Sequence, residues 1–162
     1  MVMYDTKKLI VYVNINIAAT INNLLYNSIM TYLSLVSVLT TVMFFLSGAQ
    51  KVVKIDKVAT GLQNRFPIKS LPFNFFRVSI VGVILLQILA PLLIVYSVAF
   101  DASYRKLASL AAVALAIFTV LATLLYHFPP KGKEYFPFIS NVTTTGGLLL
   151  LAHMLNTEGV HL

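Results

Sequence analysis

The sequence predicts an all-α membrane protein, a four-transmembrane-helix bundle with an irregular or strand-like N-terminal segment. Three observations predict it. Of the 162 residues, 59% are hydrophobic and only 10% are charged, whereas a soluble domain carries roughly 25% charged residues to wet its surface. The few charges cluster, and between them lie uncharged runs long enough to cross a hydrocarbon core, which takes about 20 helical residues. The longest of these runs, Leu9 to Gln50, opens with a stretch studded by asparagines that does not read as a lipid-facing helix.

Residues 1–27 form the N-terminal segment. Asn14, Asn16, Asn22, Asn23 and Asn27 scatter around a helical circumference and leave no clean lipid face. At a period of two, Val11, Val13, Ile15 and Ile17 fall on one side and Tyr12, Asn14 and Asn16 on the other, the pattern of a β-strand. A lone strand cannot sit in lipid with its backbone unpaired, so Leu9 to Ile17 is placed outside the hydrocarbon, pairing with a strand of another chain. A fifth span over this segment is the alternative. Lys7 and Lys8 before an apolar stretch imitate a secretory leader, but Asn14 breaks the apolar core and no small-residue cleavage site follows.

The bundle proper is expected over residues 28–157, with a short tail at 158–162. Ser28 to Ala49 is the first span. Lys51 to Phe76 is a basic connection in which Val52, Val53, Ile55, Val58 and Leu62 alternate with cations, as in an amphipathic helix lying on a membrane surface. Pro67 and Pro72 end it. Val78 to Phe100 and Leu107 to Tyr126 are uncharged runs of 23 and 20 residues and read as the second and third spans. Tyr135 to Thr157, again 23 residues, is less apolar because of Asn141, Thr143, Thr144, Thr145 and His153, yet Leu148 to Leu151 supports a fourth span.

Lys and Arg outnumber Asp and Glu by 12 to 5. In a multi-pass membrane chain such an excess marks loops held at the negative membrane face. The first and third loops share a side and hold eight basic residues against four on the other; a fifth span would move Lys7 and Lys8 across and make the ratio 10 to 2. Spans in lipid associate through small residues and buried polar groups. Candidates are Ala108, Ala112 and Ala116 in the third span, Gly146 and Gly147 in the fourth, and Gly82 in the second. Pro91 removes a backbone donor and frees the carbonyl of Gln87, so Gln87 is either a satisfied kink or the lining of a small cavity.

Several chemistries are excluded. The chain has no cysteine, which removes thiolate metal sites, disulfide exchange and iron–sulfur clusters. His127 ends the third span, and His153 lies 15 residues past Phe138, about 22 Å along an antiparallel helix, so they cannot share a haem or metal; His161 lies in the tail. No carboxylate falls inside a span, which disfavours a relay of intramembrane acids. No metal site and no catalytic residue is predicted. One constellation remains: Gln50 and Lys51 end the first span, Arg77 opens the second, His127 closes the third, and Ser140 and Asn141 begin the fourth. The topology brings all of them to one membrane face, where they would hold an anionic headgroup, a quinone head or a partner's acidic surface. The alternative is that Lys51 and Arg77 snorkel and His127 merely caps.

The same residues carry a family resemblance. Phe44-Phe45-Leu46-Ser47-Gly48-Ala49-Gln50-Lys51 looks like the first-helix signature of the DoxX-like membrane proteins, in which a small residue and Gly precede a Lys at the helix end. Leu125-Tyr126-His127-Phe128 resembles that family's third-helix ending, and Thr145-Gly146-Gly147-Leu148-Leu149-Leu150-Leu151-Ala152 is similar to its fourth helix. The ordered set covers residues 30–155 or so. It implies a four-helix bundle, adds Gly48 to the headgroup- or quinone-binding set, and implies a role uneven across the family: some members are membrane subunits of a thiosulfate:quinone oxidoreductase. This chain departs from the pattern where members carry a Glu in the second helix, having only Gln87 there, and it lacks cysteine.

Two functional expectations follow. The first is a non-catalytic structural or accessory subunit of a larger membrane-associated assembly, with a respiratory complex and the inner membrane or capsid of a virus particle as settings. Its partners would be membrane lipids and other protein subunits, with no nucleic acid and no cofactor. The second is a DoxX-type redox component, for which quinone would be the cofactor. A transporter has little support from four helices with no repeat and no intramembrane charge.

Overall fold

The computed structural model describes residues 6–65 and 71–157, with side chains from Val11 onward. Five α-helices account for nearly all of them: α1 (Thr6–Val52), α2 (Ile55–Arg65), α3 (Phe73–Ala99), α4 (Arg105–Tyr126) and α5 (Tyr135–Thr157). Short 3₁₀ turns at Ala102–Tyr104 and Gly132–Glu134 lead into α4 and α5. Gly132 takes a φ of 55°, the left-handed region that favours glycine. The fold is all-α, and α1, α3, α4 and α5 are each long and apolar enough to cross a membrane. Pro67, Lys69, His161 and the tail at 158–162 lie outside the described residues.

The N-terminal segment corrects the strand expectation. Among the described residues there is no strand, and Leu9 to Ile17 belongs to α1, a single uninterrupted helix of 47 residues. At 1.5 Å per residue it is about 70 Å long. The alternation that suggested a strand covers only Val11 to Ile17, and no neighbouring strand is present to pair its backbone, whereas a helix satisfies that backbone internally. Thr20 and Thr31 bond back to the carbonyls of Asn16 and Asn27 at 2.9 and 2.8 Å. The fifth-span alternative falls as well, because a continuous helix cannot turn back through the bilayer. Lys7 and Lys8 therefore stay on the side opposite the basic connection.

The bundle begins where α1 first buries side chains, at Met30 and Leu33. The helices pack in a row: α1 on α3, α3 on α4, α4 on α5, with α1 and α5 touching only sparsely. The main core lies toward the end where α1 enters, joining Leu33, Ile94, Val98, Leu115, Leu148, Leu151 and Leu155. Ala108, Ala112 and Ala116 are fully or almost fully buried, and α4 and α5 pack closely; Ser109 donates to the carbonyl of Ala152 at 2.7 Å across that contact. A second cluster sits at the opposite end, where Ala59 of α2 meets Phe76, Ile80 and Ile84 of α3. The basic connection thus holds the expected short helix, but its apolar face packs on α3 rather than on lipid. Val78, Leu85, Leu89, Leu92, Leu110, Leu121 and Leu150 face outward, a continuous apolar belt far larger than the few hundred Å² a soluble monomer exposes.

Candidate functional site

The row of helices leaves a gap. Because α5 does not close against α1, a cavity of about 920 Å³ opens between them at the end capped by α2. A β-carbon at Gly147 would sit 4.0 Å from Thr40 Cγ2, so the two helices meet there and diverge below. Leu39, Met43, Ile80, Val83, Phe118, Leu121 and Leu125 make apolar walls, and Val58 and Leu62 of α2 contribute the floor. The volume lies in the roughly 300–1,000 Å³ range of small-molecule pockets.

Polar groups gather at one end. Lys51, in the last turn of α1, donates from Nζ to Ser47 Oγ and to Gln87 Oε1, the latter at 2.9 Å; the Ser47 carbonyl lies at 3.4 Å. Gln87 is 3% exposed, and its side-chain oxygen, taking the Lys51 bond, ties α3 to α1. Gln87 therefore belongs to the cavity as well as to helix packing. His127 Nδ1 lies 2.7 Å from Glu134 Oε2. Arg65 stacks its guanidinium over the Tyr126 ring at 4.7 Å and donates to the Tyr126 carbonyl at 3.2 Å, so the end of α2 is fastened to the end of α4. Thr143 and Thr144 satisfy their hydroxyls on the carbonyls of Ile139 and Ser140, while the side chains of Ser140 and Asn141 have no hydrogen-bond partner among the described residues.

The expected constellation is thus brought together in part. Lys51, His127 and Asn141 line the cavity, with Ser140 beside them. Gln50 is exposed on α1 and outside it. Arg77 turns to Asp56 of α2 at 3.2 Å, an exposed pair that pins α2 to α3 and contributes little energy. Gly48 packs rather than binds: a β-carbon there would lie 2.9 Å from Gln87 Cβ and 3.0 Å from Ile88 Cγ1. Of the other glycines expected to pack, Gly147 faces α1, but a β-carbon on Gly82 or Gly146 would meet nothing within 4 Å. Both face outward, because a glycine's place on a helix is set by the register of the neighbouring helix and not by its size. Pro91 lies inside α3 and is buried.

Sequence reasoning missed Ser47, Tyr126 and Glu134. Ser47 had a usable signal, since it lies one turn before Lys51. It also missed Arg105, which is 2% exposed at the start of α4, where Nη2 meets Met30 Sδ at 3.2 Å. Among the described residues no group of three or more His, Asp or Glu converges as a metal site would require. No family model matches the chain, and neither curated proteins nor solved structures give a significant match.

Proposed function

We infer that this chain is a small, non-catalytic subunit embedded in a membrane as part of a larger assembly. The observation that carries this reading is the free half of α1. Residues 11–29 are exposed along their whole length, and Val11, Tyr12, Ile15, Ile17, Ile21, Leu24, Leu25 and Ile29 each leave between 45% and 72% of their surface uncovered. A helix of about 70 Å overshoots a hydrocarbon core of about 30 Å even when steeply tilted, since spans rarely tilt beyond about 40°. The overshoot needs cover from other protein.

The register of α1 says which face would meet it. Within the bundle, Met30, Ser34, Ser37, Thr41, Phe44, Gly48 and Lys51 form the inward seam, at alternating spacings of four and three. Continued toward the N-terminus, the same seam reads Asn27, Asn23, Thr20 and Asn16. Among the described residues these three asparagine side chains have no hydrogen-bond partner. Asn14 and Asn22 lie off this seam, but the run of amides in line with the buried face is what a helix joined to another helix through interhelical hydrogen bonds carries.

The test is a native-mass profile of the full chain after mild detergent extraction from its own membrane, with the co-migrating proteins identified. A large defined complex is expected, and Asn16→Leu, Asn23→Leu and Asn27→Leu together should release the chain from it. Each interhelical bond contributes about 0.6 kcal/mol on average, so three give roughly a 20-fold weakening. A wild-type chain that runs alone, or a triple variant that stays in the complex, overturns the reading.

One observation favours the second reading, a DoxX-type redox component. The spans hold no carboxylate, but Glu134 reaches the cavity wall through His127, and Lys51, Ser140 and Asn141 offer donors to a quinone carbonyl. The residues present fit a quinone head, and stoichiometric quinone co-purification with the chain tests that reading.

A further inference from the structure

We propose that the cavity between α1 and α5 is a binding site for one anionic phospholipid, with its phosphate on Lys51 and one acyl chain along the apolar walls. Among the described residues Lys51 is the one Lys or Arg side chain that lines the cavity. No carboxylate pairs with it: its partners are the neutral oxygens of Ser47 and Gln87. An ammonium has three donors, and neutral acceptors satisfy hydrogen bonding without cancelling charge. A half-buried cation without a counter-ion is partly desolvated, and an oxyanion placed on it offsets that cost. Glu134 cannot serve, because it is engaged by His127 at 2.7 Å.

The surroundings select the kind of anion. Lys51 sits in the last turn of a helix long and apolar enough to cross a membrane, where a charged end would meet the headgroups. Ser140 and Asn141, in the second turn of α5, line the same cavity with side chains that have no partner among the described residues. Away from this polar end the walls are Leu39, Met43, Val83, Phe118 and Leu121. The gap between α1 and α5 faces sideways, so an occupant enters from the bilayer rather than from water. A soluble anion would fill the polar end and leave the apolar part empty; a zwitterionic lipid would bring its own cation toward Lys51. The proposal is independent of the assembly reading, since it concerns the isolated chain.

The experiment is native mass spectrometry of the purified full chain reconstituted in nanodiscs of phosphatidylglycerol or of phosphatidylcholine with the same acyl chains, then released into mild detergent. One retained phosphatidylglycerol per chain is expected, with retention of phosphatidylcholine lower by at least about tenfold, the scale of one hydrogen bond to a charged group. Lys51→Ala should abolish the preference and Lys51→Arg should keep it. Should Lys51→Ala not fold, Thr144→Phe, which fills the cavity and spares Lys51, should remove the adduct. Equal retention of the two lipids, survival of the adduct in Thr144→Phe, or its displacement by millimolar inorganic phosphate each overturns the proposal. So does displacement by a neutral quinone that is equally effective in wild type and Lys51→Ala.

Discussion

Replacing Gly48 by alanine tests the α1–α3 contact on which the cavity's polar end depends. The added carbon would lie 2.9 Å from Gln87 Cβ, 3.0 Å from Ile88 Cγ1 and 3.4 Å from the backbone carbon of Gln87. Carbon pairs rest at about 3.5–4.0 Å, so the first two contacts are short by roughly half an ångström or more. Gln87 Cβ is fixed to its backbone and cannot rotate aside, so α1 and α3 must part. Overpacking of this kind costs about 1–3 kcal/mol. Against it stands the gain from replacing a helical glycine, about 0.5–1 kcal/mol. That gain can be cancelled experimentally with Gly82→Ala and Gly146→Ala, whose new carbons meet nothing within 4 Å. The difference between Gly48→Ala and these two controls should therefore be the overpacking term alone, a factor of about 5–150 in the folding equilibrium. The assay is reversible unfolding in mixed micelles, followed by helicity. A Gly48→Ala chain that unfolds with the same free energy as Gly146→Ala refutes the close approach of α1 and α3.

Other substitutions probe neighbouring parts of the argument. Gln87→Leu removes the acceptor 2.9 Å from Lys51 Nζ and should cost about 1.5–3 kcal/mol in the same assay, the range for a bond to a charged group; Lys51→Met added to it should recover much of the loss, because removing both partners is nearly neutral. Ala112→Leu, at a position with no exposed surface, should force α4 from α5 and cost about 1–3 kcal/mol, while Leu110→Ala on the lipid side should stay within about 0.5 kcal/mol. Asp101, in the loop between α3 and α4, has its carboxyl held below the usual value by the Ser103 hydroxyl and then by the Ser103 backbone N–H, whose nitrogen lies 2.9 Å from Oδ1. A carboxyl lowered by folding contributes stability above its unfolded pKa and loses it as pH falls through the folded one. Stability of the wild-type chain should therefore drop more than that of Asp101→Ala as pH falls below the ordinary aspartate value of 3.8, which an acid titration of helicity checks.

The spans were legible in the sequence because lipid imposes one strong rule, an uncharged run of helical length between charges, and α3, α4 and α5 follow it to within a few residues. The buried ridge of Ala108, Ala112 and Ala116 was legible for a related reason: repeated small residues at a spacing of four occupy one face whatever the neighbour is. Residues 11–27 were not legible, because two periodicities share the same side chains. Val11, Val13, Ile15 and Ile17 alternate as in a strand, while Asn16, Thr20, Asn23 and Asn27 recur as in a helix seam. The second pattern runs on without a break into Met30, Ser34, Ser37 and Thr41, which the bundle buries in whole or in part. The longer-range regularity wins because a helix satisfies its own backbone and a strand here would have no partner.

At the candidate site the sequence located residues along the helices but not around them. Lys51, His127 and Asn141 line the cavity because helix ends order them at one face of the membrane, a fact of topology alone. Arg77 obeys the same topology and still turns away, since α2 offers Asp56 outside the bundle. What decides between them is which side of α1 and α3 the row of helices leaves uncovered. The sequence does not state the order of packing. The face that α5 turns toward α1 is Ser140, Asn141, Thr143, Thr144 and Gly147; Thr143 and Thr144 spend their hydroxyls on carbonyls of their own helix and so add no polar bond that would hold the two helices together. A bundle closed there would bury Lys51 with no counter-ion; a bundle left open keeps that charge accessible from outside the helices. The gap and the lysine are therefore one feature. Filling the gap with larger apolar residues on α5 should raise stability only if Lys51 is replaced at the same time.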